Sequence, residues 1–167
     1  MEALYTYFYK TPIGYLCIEA NDDVVHGINF LDGIEHPPEA KVPEKYPVVL
    51  EQILKELDAY FSGRRLVFET PFDQNGTVFQ KEVWSRLVQI PFGKTISYLD
   101  LAKQLGDTKV IRAAASANGK NHLAIVVPCH RVIGSKNDLV GYAGGLWRKR
   151  WLLEHEQKFT HGVQTLF

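Results

Sequence analysis

Cys129 and His130 stand side by side in the segment Pro128-Cys129-His130-Arg131-Val132. A thiol next to an imidazole is what nucleophilic sulfur chemistry needs. The thiolate attacks, a base takes its proton, and an acid or amide group must orient the base. By residue type alone the pair equally suits a structural cysteine beside an incidental histidine, because Cys is among the most buried residues. The other cysteine, Cys17, lies far away in the sequence. Two such cysteines make neither a disulfide framework nor a zinc site, and Cys17 with His26 does not complete a tetrahedral set. No metal and no cofactor are expected.

Local elements must position that segment. The apolar run Leu123 to Val127 reads as a buried strand that delivers Cys129 at its end, with Pro128 keeping Val127 extended. Upstream, Thr77-Val78-Phe79-Gln80 has capping-box spacing and opens a helix to about Gln89, and Ser97 to Asp100 repeats the signal for a short helix ending at Gly106. Thr108 is expected to cap a further helix through Ala113-Ala114-Ala115 to Asn118-Gly119. Two short helices around a glycine turn suggest a helix-turn-helix. A last helix runs from Trp147 to about Gln157, and the tail after Lys158 is expected to be loosely held.

The first 70 residues read differently. Leu4 to Tyr9, Tyr15 to Ala20 and Val24 to Phe30 predict a small antiparallel sheet, with Tyr5, Tyr7, Phe8 and Tyr9 on a sheet face and Cys17 in the core. Four prolines between Pro37 and Pro47 mark a loop, and apolar positions from Val48 to Phe61 recur at helical spacing before Ser62-Gly63. The fold class is α+β: a sheet-and-helix domain over 1–70, a linker over 71–76, and a mainly helical domain over 77–167 with a helix-turn-helix.

Pro-Cys-His-Arg-Val resembles the active-site signature of the O6-alkylguanine-DNA alkyltransferases, also called methylated-DNA–protein-cysteine methyltransferases. At about 5% per residue type, a specified pentapeptide arises by chance less than about once in 10⁴ chains of this size. Arg112 to Asn121 precedes it at the family's spacing, and Gly141 to Leu146 and Trp151 to Glu156 follow it. The likeness is strong over 77–157 and only architectural before 70. One departure is His122, where family members usually carry Pro.

The resemblance implies direct-reversal DNA repair in a single turnover. An alkyl group on O6 of guanine, or on O4 of thymine, passes to Cys129 and stays there as a thioether. His130 would be the base, Glu156 would hold its imidazole, Asn121 would fix the loop beneath Cys129, and Tyr98 would protonate the departing guanine. Val132, Tyr142, Ala143 and Gly144 would line the base pocket. The base must leave the duplex to be reached. The family flips it from the minor groove, with an arginine matched by Arg112 filling the stack. Lys109, Ala113, Ala114 and Lys120 would sit on or beside the recognition helix, whose small side chains allow close approach to a narrow groove. Lys94, Lys103 and Lys136 are further candidate phosphate contacts.

Charge agrees with a polyanionic partner for one half of the chain. The formal net charge of the 167 residues is zero. Yet residues 1–76 hold 6 Lys+Arg against 13 Asp+Glu, a net −7, and residues 77–167 hold 13 against 6, a net +7. The partner is expected to be alkylated double-stranded DNA, met by a monomer in the cytoplasm. No apolar run approaches the roughly 18 residues of a membrane span, and the N-terminus lacks a signal peptide's basic and apolar regions. A composition of 46% hydrophobic and 23% charged residues excludes wholesale disorder. Two other readings are weighed: a damage-binding module like the alkyltransferase-like proteins, which Cys129 disfavours, and a Cys-His-Glu hydrolase, for which the basic half has no use.

Overall fold

The computed structural model describes residues 2–37, 42–64 and 67–161, and its architecture is α+β. Contacts divide the chain into two units, Met1–Gln74 and Asn75–Phe167.

In the first unit, β1 (Tyr5–Thr11), β2 (Gly14–Ala20) and β3 (Val25–Phe30) form an antiparallel sheet in the order β1-β2-β3. Its register runs from Tyr5 opposite Ala20 to Thr11 opposite Gly14, so Pro12-Ile13 is a two-residue hairpin loop. Gly14 has φ 108°, a conformation that favours glycine. The next turn is closed by the Asn21 carboxamide, which accepts from the amides of Asp23 at 2.8 Å and Val24 at 2.7 Å. Helix α1 (Val48–Phe61) turns Leu50, Ile53, Leu57 and Tyr60 inward and packs on β3, so the core holds these with Leu16, Ile18 and Ile28. Of the proline-marked loop, residues 38–41 lie outside the described residues. The stretch Pro71–Asp73 is hydrogen-bonded to Val25 through both of that residue's backbone groups, and so lies against the edge of β3.

The second unit begins with α2 (Val78–Leu87), whose capping box is complete: Gln80 N donates to Thr77 Oγ1 at 3.1 Å and Thr77 N to Gln80 Oε1 at 2.9 Å. Strand β4 (Ile96–Ser97) leads into α3 (Tyr98–Gln104), capped the same way by Ser97 and Asp100. The expected Thr108 cap is overturned. Asp107 is the capping side chain, accepting from Lys109 N at 2.8 Å, and Thr108–Val110 is a 3₁₀ turn that feeds α4 (Ile111–Gly119). An ionised carboxylate at the turn's start outcompetes the hydroxyl that follows it. Buried Trp84 on α2 donates from its indole to Ala117 O at 2.9 Å and fastens α4 in place. Gly76 lies on that ring: a Cβ there would meet Trp84 at 2.5 Å.

The strand expected over Leu123–Val127 does not form. Those residues make a tight turn, followed by a 3₁₀ turn at Cys129–Arg131 and by β5 (Val132–Ile133). Strand β5 runs parallel to β4, with Ile96 opposite Val132 and Ser97 opposite Ile133. This two-residue ladder brings the start of α3 beside the Cys-His segment. Helix α5 (Leu146–His161) closes the unit and runs past Lys158; residues 162–167 of the expected loose tail lie outside the described residues. Among the described residues, no helix is long and apolar enough to cross a membrane.

Candidate active site

Cys129 is placed by backbone turns rather than by a sheet. Val126 N donates to Ala124 O at 2.8 Å, closing a three-residue turn around Ile125 at φ 72°. Cys129 N donates to Val127 O at 2.8 Å, closing a second such turn around Pro128. A β-branched residue at positive φ costs about 1–3 kcal/mol and persists only where surrounding bonds over-determine it. Asn121 supplies those bonds. Its Nδ2 donates to Val127 O at 2.8 Å and to Leu123 O at 3.4 Å, and its Oδ1 accepts from Leu123 N at 3.0 Å. Residue 122 lies within this clasp, and His122 is exposed.

Cys129 is 6% exposed and His130 fully buried. His130 Nε2 contacts Glu156 Oε2 on α5. The other Glu156 oxygen accepts from Arg131 Nε at 2.7 Å and from Gly93 N at 3.1 Å, and Arg131 Nη1 donates to Ile90 O at 2.7 Å. Burial alone would raise the Glu156 carboxyl, but His130 and Arg131 together hold it well below the usual carboxylate range. Burial also lowers His130, and Glu156 offsets this only in part, so the imidazole is neutral at pH 7. A neutral ring that donates through Nε2 leaves Nδ1 as an acceptor. That atom is buried with no hydrogen-bond partner among the described residues, so a base's lone pair is available.

Burial pushes the Cys129 thiol up, more than the Asn121 amide, the Lys149 charge and nearby backbone N–H groups pull it down. The resting group is a thiol that needs a base. Its pocket, about 110 Å³, is lined by Tyr98, Ala115, Asn118, Gly119, Asn121, Cys129, Gly141, Tyr142 and Ala143. Burial raises the Tyr98 phenol, which therefore keeps its proton and donates to Val140 O at 3.0 Å. Of the residues expected at the pocket, Tyr142 and Ala143 line it. Val132 is fully buried in the β4–β5 ladder, and Gly144 is buried with its carbonyl accepting from Arg148 at 3.0 Å.

On α4, Arg112 and Ala113 are exposed, whereas Ala114 is fully buried and faces the core. Lys94, Lys103, Lys109, Lys120 and Lys136 are all exposed.

Sequence reasoning missed three residues here. Arg131 fixes Glu156, Asn118 donates from Nδ2 to Cys129 O at 3.3 Å, and Lys149 is fully buried. Lys149 Nζ bonds Val140 O and Gly141 O, both at 3.1 Å, and sits 5.8 Å from the Tyr98 ring centre. Burial lowers Lys149 to about 8, although Cys129 draws it back up. Its charge favours the thiolate at neutral pH and is lost above about pH 8. Lys149→Met should therefore slow transfer at pH 7 and show a smaller deficit against wild type at pH 9 in single-turnover rates. Equal deficits would mean that Lys149 acts by packing alone.

The chain is similar to known proteins over most of its length. Residues 78–158 match the DNA binding domain of 6-O-methylguanine DNA methyltransferase, and residues 4–74 match its ribonuclease-like domain. A methylated-DNA–protein-cysteine methyltransferase of Mycolicibacterium paratuberculosis is 40% identical over 157 residues, covering 94% of each chain. One from Methanosarcina acetivorans is 38% identical over 156 residues, covering 92% of this chain and 98% of its own. The crystal structure of the Mycobacterium tuberculosis O6-methylguanine methyltransferase superposes with TM-score 0.80 at 37% identity over 93% of both chains. That of Mycobacterium tuberculosis OGT in complex with DNA gives TM-score 0.80 at 39% identity, over 91% of this chain and 92% of that one.

Proposed function

The chain belongs to the 6-O-methylguanine DNA methyltransferase family, and from that premise we propose that Cys129 is the residue that accepts the alkyl group. The protein is a methylated-DNA–protein-cysteine methyltransferase, which binds DNA and repairs it by direct reversal. One observation carries the assignment to Cys129: a thiol on the wall of a pocket, followed in sequence by a neutral histidine whose Nε2 is engaged by Glu156.

Sγ attacks the alkyl carbon as the carbon–oxygen bond breaks, giving a thioether and a guanine leaving group. The thiol proton passes through a water to His130 Nδ1, and the imidazolium formed is stabilised by the Glu156 carboxylate. Tyr98 delivers its phenolic proton to a ring nitrogen of the departing base, which would otherwise leave as an anion. Nothing in the pocket hydrolyses a thioether, so each molecule acts once. O4-alkylthymine presents the same alkyl–oxygen bond and is a second substrate.

The extrahelical base is supplied by α3 and α4, acting as a helix-turn-helix in the minor groove. Ala113 allows close approach, Arg112 fills the vacated stack, and the exposed lysines meet phosphates. The protein acts as a monomer in the reducing cytoplasm, where Cys129 stays a thiol. Unit 1 serves as a structural domain and unit 2 as the DNA-binding and transfer domain. Arg112→Ala should slow repair of duplex DNA about tenfold or more, since unstacking a base costs a few kcal/mol, and leave reaction with free O6-methylguanine unchanged. Equal losses on both substrates would remove Arg112 from base flipping. The primary test is to locate the transferred methyl by mass spectrometry after incubation with duplex carrying O6-methylguanine. Stoichiometric label on Cys129 is expected, and no label under binding conditions would sink the assignment.

A further inference from the structure

Tyr98 and Asn118 both line the Cys129 pocket, and their polar atoms are joined in one chain. Asn118, near the end of α4, is 5% exposed. Its Nδ2 donates to Cys129 O at 3.3 Å and to Tyr98 Oη at 3.5 Å. The amide is fixed in that orientation, because the Cys129 carbonyl can only accept. Tyr98 Oη in turn donates to Val140 O at 3.0 Å, and the same carbonyl accepts from Lys149 Nζ at 3.1 Å. The phenol oxygen thus has a donor aimed at it on one side and an acceptor for its proton on the other. Burial, and after it the charge of a Cys129 thiolate, raises the Tyr98 phenol, whereas the Asn118 amide pulls it back down.

We propose that Asn118 is a positioning residue for the leaving-group step, its Nδ2 stabilising the negative charge that forms on Tyr98 Oη as the phenol gives up its proton. This role rests on Tyr98 being the acid that protonates the departing base. As the bond from Sγ to carbon forms, the carbon–oxygen bond breaks and its electron pair passes to the base. The Oη proton goes to a ring nitrogen of that base, and the bonding pair stays on Oη as a phenolate, which regains a proton from solvent afterwards. To reach the base, the hydroxyl must turn away from Val140 O. That carbonyl keeps its Lys149 donor and is not left empty. The phenolate keeps the Asn118 donor. A hydrogen bond to an ionised oxygen is shorter and roughly twice as strong as one to a neutral oxygen. The 3.5 Å contact therefore tightens as charge develops, and it favours the transition state over the resting state.

The test compares two methyl donors at one pH: duplex carrying O6-methylguanine, and iodomethane, whose iodide departs without needing a proton. Single-turnover methylation of Cys129 is read by mass spectrometry in the wild type, Asn118→Ala, Tyr98→Phe and the double variant. Asn118→Ala should slow transfer from O6-methylguanine about tenfold or more and leave methylation by iodomethane unchanged. Added to Tyr98→Phe, it should slow transfer no further, because the phenolate it serves is gone. Asn118→Leu keeps the volume and loses the donor, so it should match Asn118→Ala. Equal slowing with both methyl donors, or the same further slowing in the Tyr98→Phe background, would mean that Asn118 acts through the Cys129 carbonyl and overturns the proposal. Asn118→Ala at the wild-type rate beside a slowed Tyr98→Phe overturns the proposal alone. Tyr98→Phe at the wild-type rate on O6-methylguanine overturns the Tyr98 reading, and the proposal falls with it.

Discussion

Replacing Cys129 by serine should leave a protein that binds alkylated duplex DNA and transfers nothing. Serine differs from cysteine by one atom, so the turn clasped by Asn121 and the 3₁₀ turn at 129–131 keep the hydrogen bonds made by their backbone groups and by the Asn121 and Asn118 amides. Chemistry is what is lost. A serine hydroxyl ionises far less readily than a thiol and is a poorer nucleophile towards a saturated carbon, so removing the sulfur should cost about 10⁴-fold or more in rate. Methylation read by mass spectrometry, alongside duplex affinity by fluorescence anisotropy, checks both halves. Retained stoichiometric transfer would mean another nucleophile. Cys17 is a poor candidate, since it is part-buried on β2 and its thiol is raised by burial and by Glu19. Repeated turnover of an ester or peptide by the wild type would favour the hydrolase.

Glu156→Gln should be the most damaging single change outside the nucleophile, because one carboxylate holds three partners. The amide would leave Arg131, 6% exposed, as a buried cation without its counter-ion, which costs about 3–5 kcal/mol and lowers the melting temperature by about 10 °C or more. The pH dependence separates charge from packing. Glu156 is depressed in the folded protein, so its stabilisation is full above the unfolded value near 4.3 and is lost as pH falls further. His130 is also depressed, so its contribution begins to fade below about pH 6.5, where the unfolded imidazole takes a proton that the buried one resists. Wild type and Glu156→Gln should therefore converge in stability below about pH 4. Parallel curves down to pH 2 would show that the carboxylate's charge is not what stabilises the unit. Transfer should need a higher pH in the variant, because His130 loses the anion that stabilises its charged form; an unchanged pH–rate profile would argue against the relay.

What the sequence determined by itself is what short-range physics encodes. The capping boxes at Thr77 and Ser97 place α2 and α3, and the 3.6-residue spacing over 48–61 gives α1 with its bounds. The Cys-His segment points to thiol chemistry, and the excess of positive charge falls in the half whose residues 78–158 match a DNA binding domain. Where the same local rules failed, distant groups had decided. Five apolar residues from Leu123 to Val127 spell a strand, yet they fold as a turn whose two ends, Leu123 and Val127, are held by the Asn121 side chain. Ala113 and Ala114 are identical in sequence. Packing of α4 against α2 and α3 buries one and exposes the other. Arg131, Lys149 and Asn118 could not be picked out from the chain alone, because their roles are contacts with Glu156, with the carbonyls at 140–141 and with Cys129. A side chain's ionisation and unmet hydrogen bonds depend on what lies within a few ångströms of it, and for these residues only tertiary packing sets that.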